Sequence, residues 1–460
     1  MSIINEILMN LPEVTPPTQK KLSFKEKLKW TGIILVLFFV LGMVPLFGLN
    51  PGFQNRFEYL QIILASKFGS IISLGIGPIV TASIVLQLLN GSGIVKFDLT
   101  SHEGKKKYQG IQKLLSIFFI IFESAIYVLM GGMAPDPNLP HLRVILQLIL
   151  IFQLMLGGIM IMFMDEIVSK WGFGSGISLF IAAGVSQTIF VKSFSWAEST
   201  ATYRVGAVIQ FFQALFASDP TAAALAISAI ISTIVVFVIA VYAQAMKVEI
   251  PLSFGRIRGQ GMRWPLNFVY TSNIPVILVS ALFANIQLWI TMAQRIDVKN
   301  KFISALLSNN GIVTWIRPPN LVKSIIEQQS LFIGGDVYLK ALFYIVMMII
   351  GSIIFSYFWV QTAGMDARSQ AEQIMSSGLQ IPGFRKDQRV LERLLNRYIG
   401  PLTIMGAITI GFLAALADLS GALSRGTGIL LSVMIVYKLY EEIAQEHMMD
   451  MHPMLRKMME

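Results

Sequence analysis

Gly69-Ser70-Ile71-Ile72-Ser73-Leu74-Gly75-Ile76-Gly77-Pro78-Ile79-Val80-Thr81 opens a charge-free run between Lys67 and Lys96. The run is long enough to cross a membrane, since a spanning helix needs about 20 mostly apolar residues. Two glycines and a proline at Gly75, Gly77 and Pro78 fall inside it, and that chemistry interrupts helices. A helix broken at membrane depth is tolerated where its backbone lines a cavity or is buried in protein. An ordinary proline kink is the simpler reading of the motif taken alone.

The surrounding chain has the same character. Of 460 residues, 55% are hydrophobic and 13% charged, and mean hydropathy is +0.66, above that of an ordinary soluble domain. The absence of cysteine excludes disulfide scaffolds and thiolate-ligated zinc or iron–sulfur sites. Ten candidate spans lie between charged residues. They run between Lys29 and Arg56, Lys67 and Lys96, Lys113 and Asp136 (interrupted by Glu123), Arg143 and Asp165, and Lys170 and Lys192. The others run between Asp219 and Lys247, Arg263 and Arg295, Lys340 and Asp366, Arg397 and Asp418, and Arg425 and Lys438. The last holds only twelve residues and spans only if its flanking cations snorkel or Leu439 and Tyr440 extend it. None alternates as a barrel strand would, so the expected fold is an all-α integral membrane bundle. Gly157–Gly158 and the series Gly172, Gly174, Gly176 are candidates for close helix packing.

With ten spans both termini share one side, which carries 24 of the 36 lysines and arginines. The positive-inside rule therefore places both termini in the cytosol. Leu22 to Lys29, mixed in character, is expected to lie along the membrane surface ahead of the first span.

Four features are unusual for a simple bundle. The broken run is one. Another is the outer piece from Asn50 to Lys67, too polar to span, with Phe53, Phe57, Leu60, Ile63 and Leu64 at helical spacing. It reads either as a surface loop or as a short amphipathic helix tucked into a cavity. The third is the small set of polar groups within spans: Glu123, Asn285 and Gln287, with Thr81 and Ser83 beyond the break. A buried carboxylate is costly and marks either an interhelical hydrogen bond or a functional group. All four histidines lie outside the spans. The fourth is a pair of long basic cytosolic loops. Val248 to Phe254 alternates towards a hairpin tip with Arg256 and Arg258, and Pro382-Gly383-Phe384-Arg385-Lys386 precedes a helical run carrying Arg389, Arg393 and Arg397. Arginines on protruding tips suit phosphate contacts, and topology alone does not require loops of this length. The chain has no Gly-x-x-x-x-Gly-Lys-Ser/Thr loop for nucleotide hydrolysis.

Leu74 to Thr81, Asp165-Glu166-Ile167-Val168-Ser169-Lys170, Gly174-Ser175-Gly176-Ile177, Tyr270 to Ile277 and Ala284-Asn285-Ile286-Gln287-Leu288-Trp289 closely resemble SecY, the channel-forming family of the Sec protein translocon, in its archaeal wording. The resemblance runs from about Leu22 to Tyr440. It implies two pseudo-symmetric five-helix halves, residues 1–192 and 220–460 joined by an outer hinge loop at 193–219, around an hourglass pore. Asn50 to Lys67 would then be a plug, presenting Phe57, Leu60, Ile63 and Leu64. Ile76, Val80, Ile177, Ile181, Ile277 and Leu431 would form a ring of apolar pore residues, although periodicity alone marks them as ordinary core. Thr81, Glu123 and Asn285 would form the polar cluster of a lateral gate between spans two and three and spans seven and eight. Arg256, Arg258, Arg385 and Lys386 would dock the translating ribosome.

The resemblance further implies a cell-membrane channel that passes nascent chains, receives signal sequences and releases hydrophobic segments into membrane lipids. It is expected to work with two small membrane subunits, with no cofactor, metal or catalytic residue. A competing expectation is a secondary transporter of a small solute coupled through Glu123.

Overall fold

The computed structural model describes residues 12–18, 22–50, 69–91, 94–95, 97, 102–130, 132–138, 140–196, 206–254, 261–271, 274–293, 315–328, 334–376, 379–380 and 388–451. Its helices are α1 (Phe24–Leu41), α2 (Gly77–Gly91), α3 (His102–Leu129), α4 (Arg143–Trp171), α5 (Gly176–Phe194), α6 (Ala207–Phe216) and α7 (Pro220–Ala245). After the strands β1 (Lys247–Phe254) and β2 (Gly261–Asn267) come α8 (Ile274–Ala293), α9 (Leu321–Gln328), α10 (Gly335–Thr362) and α11 (Ala367–Ser376). Strand β3 (Leu379–Gln380), α12 (Gln388–Leu419) and α13 (Gly426–Met451) complete the described chain.

Each of the ten expected spans falls on a helix: α1 to α5, α7, α8, α10, α12 and α13. Among the described residues, six helices are long and apolar enough to cross a membrane by themselves, while the apolar parts of α2 and α8 are shorter. One sequence expectation is corrected. Leu22 to Lys29 forms no separate surface helix. Residues 24–29 are the opening turns of α1, which Ser23 caps by accepting from the Glu26 N–H, so the charged and apolar parts share one helix. The tenth span is extended through Leu439 and Tyr440, one of the two conditions set for it, because α13 continues past Lys438 to Met451.

The broken run is broken, not kinked. Residues 69–76 form successive turns and α2 begins only at Gly77, with Pro78 in its first turn, where a missing N–H costs nothing. Gly75 has φ +55°, a left-handed conformation that favours glycine. The turns are tied down by bonds from Leu46 N–H to Gly69 O (2.8 Å) and from Ile71 N–H to Val44 O (2.9 Å). The Ser73 hydroxyl adds a bond to the Ser70 carbonyl. α4 presses on these turns at Gly157, where a Cβ would come within 1.8 Å of the Ile71 carbonyl oxygen.

Packing defines two groups of spans. α4 contacts α1, α3 and α5, and α2 packs on α3; α10 contacts α8 and α12, and α13 packs on α7 and α12. The groups meet along two seams, α2 against α8 and α10, and α5 against α13. α6, within the expected hinge loop, packs on α5 and α7.

The same corner device occurs once in each group. At the end of α4, Asp165 accepts from the Ile177 N–H (2.9 Å) at the start of α5. At the end of α12, Asp418 accepts from the Thr427 N–H (2.8 Å) at the start of α13 and from the Tyr344 hydroxyl (2.7 Å). In both, an acid satisfies orphan donors of the next helix.

The strands form one sheet, ordered β2-β1-β3. β1 and β2 pair antiparallel from Lys247↔Asn267 to Ser253↔Gly261, giving the hairpin expected from the alternation. β3, from the other basic loop, pairs with β1 through Ser253↔Gln380 and Phe254↔Leu379. The sheet joins two loops that are far apart in sequence.

Candidate pore, lateral gate and docking surface

Five of the six expected ring residues, Ile76, Val80, Ile181, Ile277 and Leu431, are buried in one apolar cluster, with Ile177 packed against it. They come from α2 and the turn before it, α5, α8 and α13, so both groups of spans contribute. The side chains of isoleucine, valine and leucine offer this cluster no hydrogen-bonding group.

Below the cluster, at the end of the bundle that carries the sheet, lies a cavity of about 380 Å³. Val80, Ile177 and Ile277 form part of its wall, so half of the expected ring faces this open space. Its rim is polar, and Gln112 of α3 donates to Ser83 of α2 at 2.7 Å.

The expected gate residues are brought together. Asn285 of α8 donates its amide to the Thr81 hydroxyl of α2 at 2.7 Å, and Thr81 lies 3.3 Å from Glu123 Oε1 on α3. The Gly77 carbonyl is 2.8 Å from the same hydroxyl, so the single Thr81 proton serves one acceptor at a time. All three side chains are buried, in the seam between the two groups of spans. The Gln287 amide donates to the Ile316 carbonyl at 3.2 Å.

The expected docking residues Arg256, Arg258, Arg385 and Lys386 and the expected plug residues Phe57, Leu60, Ile63 and Leu64 lie outside the described residues. The base of the two basic loops is described. Leu391, Leu395 and Ile399 of α12 form a second core with Leu266, Tyr270 and Ile374, while Arg389, Arg393 and Arg397 stay exposed on the opposite face. The Tyr270 hydroxyl closes this core with a bond to the Met365 carbonyl (2.7 Å). Lys247, at the base of β1, pairs with Glu441 of α13 at 3.0 Å, and that carboxylate raises the lysine pKa.

A contact not expected from the sequence ties residues 12–18 to the same end. Lys170 Nζ reaches Glu13 Oε1 (2.6 Å), the Val14 carbonyl (2.6 Å) and Glu166 (3.0 Å), while Trp171 Nε1 donates to the Thr15 carbonyl (3.0 Å). Lys113 of α3 completes the network on Glu166 at 2.8 Å. The Lys170 ammonium, hydrogen-bonded to it, holds the Glu13 carboxyl below the usual carboxylate range.

Comparison with known proteins settles the family. A family model described as SecY matches residues 70–440, and one described as the plug domain of Sec61p matches residues 36–69. The protein translocase subunit SecY of Methanothermobacter thermautotrophicus is 44% identical over 457 residues, spanning 97% of this chain and 96% of its own. The chain belongs to the SecY family. The SecY of Methanocaldococcus jannaschii is 43% identical over 454 residues, 98% of each chain. Both relatives are archaeal, matching the branch that the sequence resembles. Among solved structures, a protein-conducting channel shares 42% identity with this SecY-family chain at a TM-score of 0.83, covering 98% of it and 99% of that channel. Sec61 from a canine ribosome–channel complex matches at a TM-score of 0.80 with 42% identity, covering 98% and 99%.

Proposed function

We infer that the chain is the channel subunit of a protein translocase, which conducts unfolded polypeptides across a membrane and releases hydrophobic segments sideways into lipid. The observation that carries this is the ring: six aliphatic residues from both groups of spans meet above a cavity open at the sheet end. A chain of any sequence can be accommodated by side chains that offer it no specific bond. The family has neither an enzyme's nor a solute transporter's chemistry, and the transporter coupled through Glu123 finds no support.

Several roles complete this reading. The sheet end is cytosolic, because the basic loops lie there. The halves 1–192 and 220–460 open about the hinge at 193–219, parting α2 from α8 and α10 while α5 and α13 stay together. Thr81, Glu123 and Asn285 hold that seam shut until a signal sequence replaces their contacts. The plug carrying Phe57, Leu60, Ile63 and Leu64 fills the outer funnel at rest. Arg256 and Arg258, with Arg385 and Lys386, contact ribosomal RNA and protein; the β1–β3 pairing supports a joint surface, because it holds Gln380, shortly before Arg385, beside Ser253, shortly before Arg256. A translating ribosome is then the motor, and two small membrane subunits complete the complex.

The test is resting conductance of the reconstituted complex in planar bilayers. Deleting residues 57–67, and separately replacing Ile277 with Ser, should each raise ion leak, because the first removes one seal and the second wets the other. Unchanged conductance in both would contradict the pore assignment.

A further inference from the structure

Gln87 belongs to neither the seal nor the closed gate. It sits on α2, four residues past Ser83, in the wall of the cavity, and is 3% exposed. Among the described residues, its side-chain Oε1 has no hydrogen-bond partner. The neighbouring Ser83 is satisfied by Gln112, so an unmet acceptor is not general to this rim. Val80, Ser83 and Gln87 recur at three and four residues and share a helix face, with Gln87 roughly 10 Å nearer the sheet end than Val80.

The facing wall of the cavity comes from across the gate seam, with Ile277 on α8 and Trp359 on α10. A hydrophobic helix lying in the opened seam with its N-terminus towards the cytosol therefore has its first turn in this cavity. The first N–H groups of any helix lack an internal partner. At membrane depth, each such group must find an acceptor in protein.

We propose that Gln87 is a specificity-determining residue of the gate, whose Oε1 accepts from a first-turn N–H of a hydrophobic segment entering with its N-terminus cytosolic. This rests on the channel reading above. It makes Gln87 matter most for segments that lack a cap of their own. A segment that begins with Asp or Ser satisfies those donors itself.

The test uses the complete complex, with its small subunits, in proteoliposomes. Two ribosome-tethered segments share one apolar core and differ only in an Asp or an Ala at the N-cap position. With the native chain both should insert about equally. In Gln87→Leu, and in the longer apolar variant Gln87→Met, the Asp-capped segment should exceed the Ala-capped one about fivefold, the factor that one lost cap bond implies. Because the readout is a ratio, a lower yield of folded variant does not move it. A ratio unchanged from the native chain in both variants would overturn the assignment of Gln87. Insertion of neither segment by the native complex would instead overturn the channel reading, and the inference with it.

Discussion

Asn285 and Thr81 are joined by a 2.7 Å hydrogen bond that links α8 to α2 across the seam between the two groups of spans. They stand 204 residues apart in sequence. Thr81 also has acceptors within its own group of spans, Glu123 and the Gly77 carbonyl, so on the proposed gate reading the cross-seam link is the part that opening removes. Replacing Asn285 with Leu should destabilise the closed seam by about 1 kcal/mol, the net value of one hydrogen bond. Translocation of a marginally hydrophobic signal should rise about fivefold as a result. An unchanged or reduced rate would show that the bond does not hold the gate.

Gly157 allows α4 to approach the turns that carry Ile76. A methyl group there would meet the Ile71 carbonyl oxygen at 1.8 Å, and backbone cannot swing aside as a side chain can. Gly157→Ala should lower stability in detergent by about 2–3 kcal/mol, an overpacking cost. Gly32, exposed in α1 with no atom within 4 Å of the added carbon, should instead be neutral or gain up to about 1 kcal/mol as alanine. Thermal unfolding of the two variants compares them directly.

Asp418 joins three spans through Tyr344 of α10, its own α12 and Thr427 of α13. Asp418→Ala strands the buried Tyr344 hydroxyl and removes the cap of α13, at a cost of about 2–4 kcal/mol. Tyr344→Phe should cost about 1 kcal/mol, and the double variant less than the sum, because both remove the same bond. Additive costs in unfolding measurements would contradict the shared bond.

Glu13 fastens residues 12–18 to the end of α4 through Lys170. Its folded pKa is depressed, so its contribution is present above the unfolded glutamate value of about 4.3 and disappears as pH falls through the lower folded value. Glu13 is largely exposed, which limits the effect to under about 1 kcal/mol. Limited proteolysis should therefore cut this segment faster at low pH than at neutral pH, and Glu13→Gln should show the fast rate at both.

Spans were legible because apolar length is a local property, and so was the break at Gly75–Pro78, whose residues constrain their own backbone. The continuity of α1 had a readable signal in Ser23 with Glu26 three residues on, the pattern of a capping box. Other parts were not legible. β3 is two residues long, and its pairing with β1 joins segments separated by well over a hundred residues. The six ring residues share only an aliphatic character with dozens of core positions, so spacing could not single them out without the family motifs. The paired corners had a faint signal, an aspartate about ten residues before a glycine-initiated helix, at Asp165 with Gly176 and at Asp418 with Gly426. Gln87 was invisible, since an unmet acceptor exists only once its neighbours are in place.

Photocrosslinking tests the pore most directly. Probes at Ile76, Ile177 and Ile277, with a control at the outward-facing Val36 (64% exposed), would be placed in the complex holding a ribosome-arrested nascent chain. The three ring positions should label the translocating chain, and Val36 should not. Labelling from Val36 with none from the ring would place the polypeptide path elsewhere and contradict the channel through these six residues.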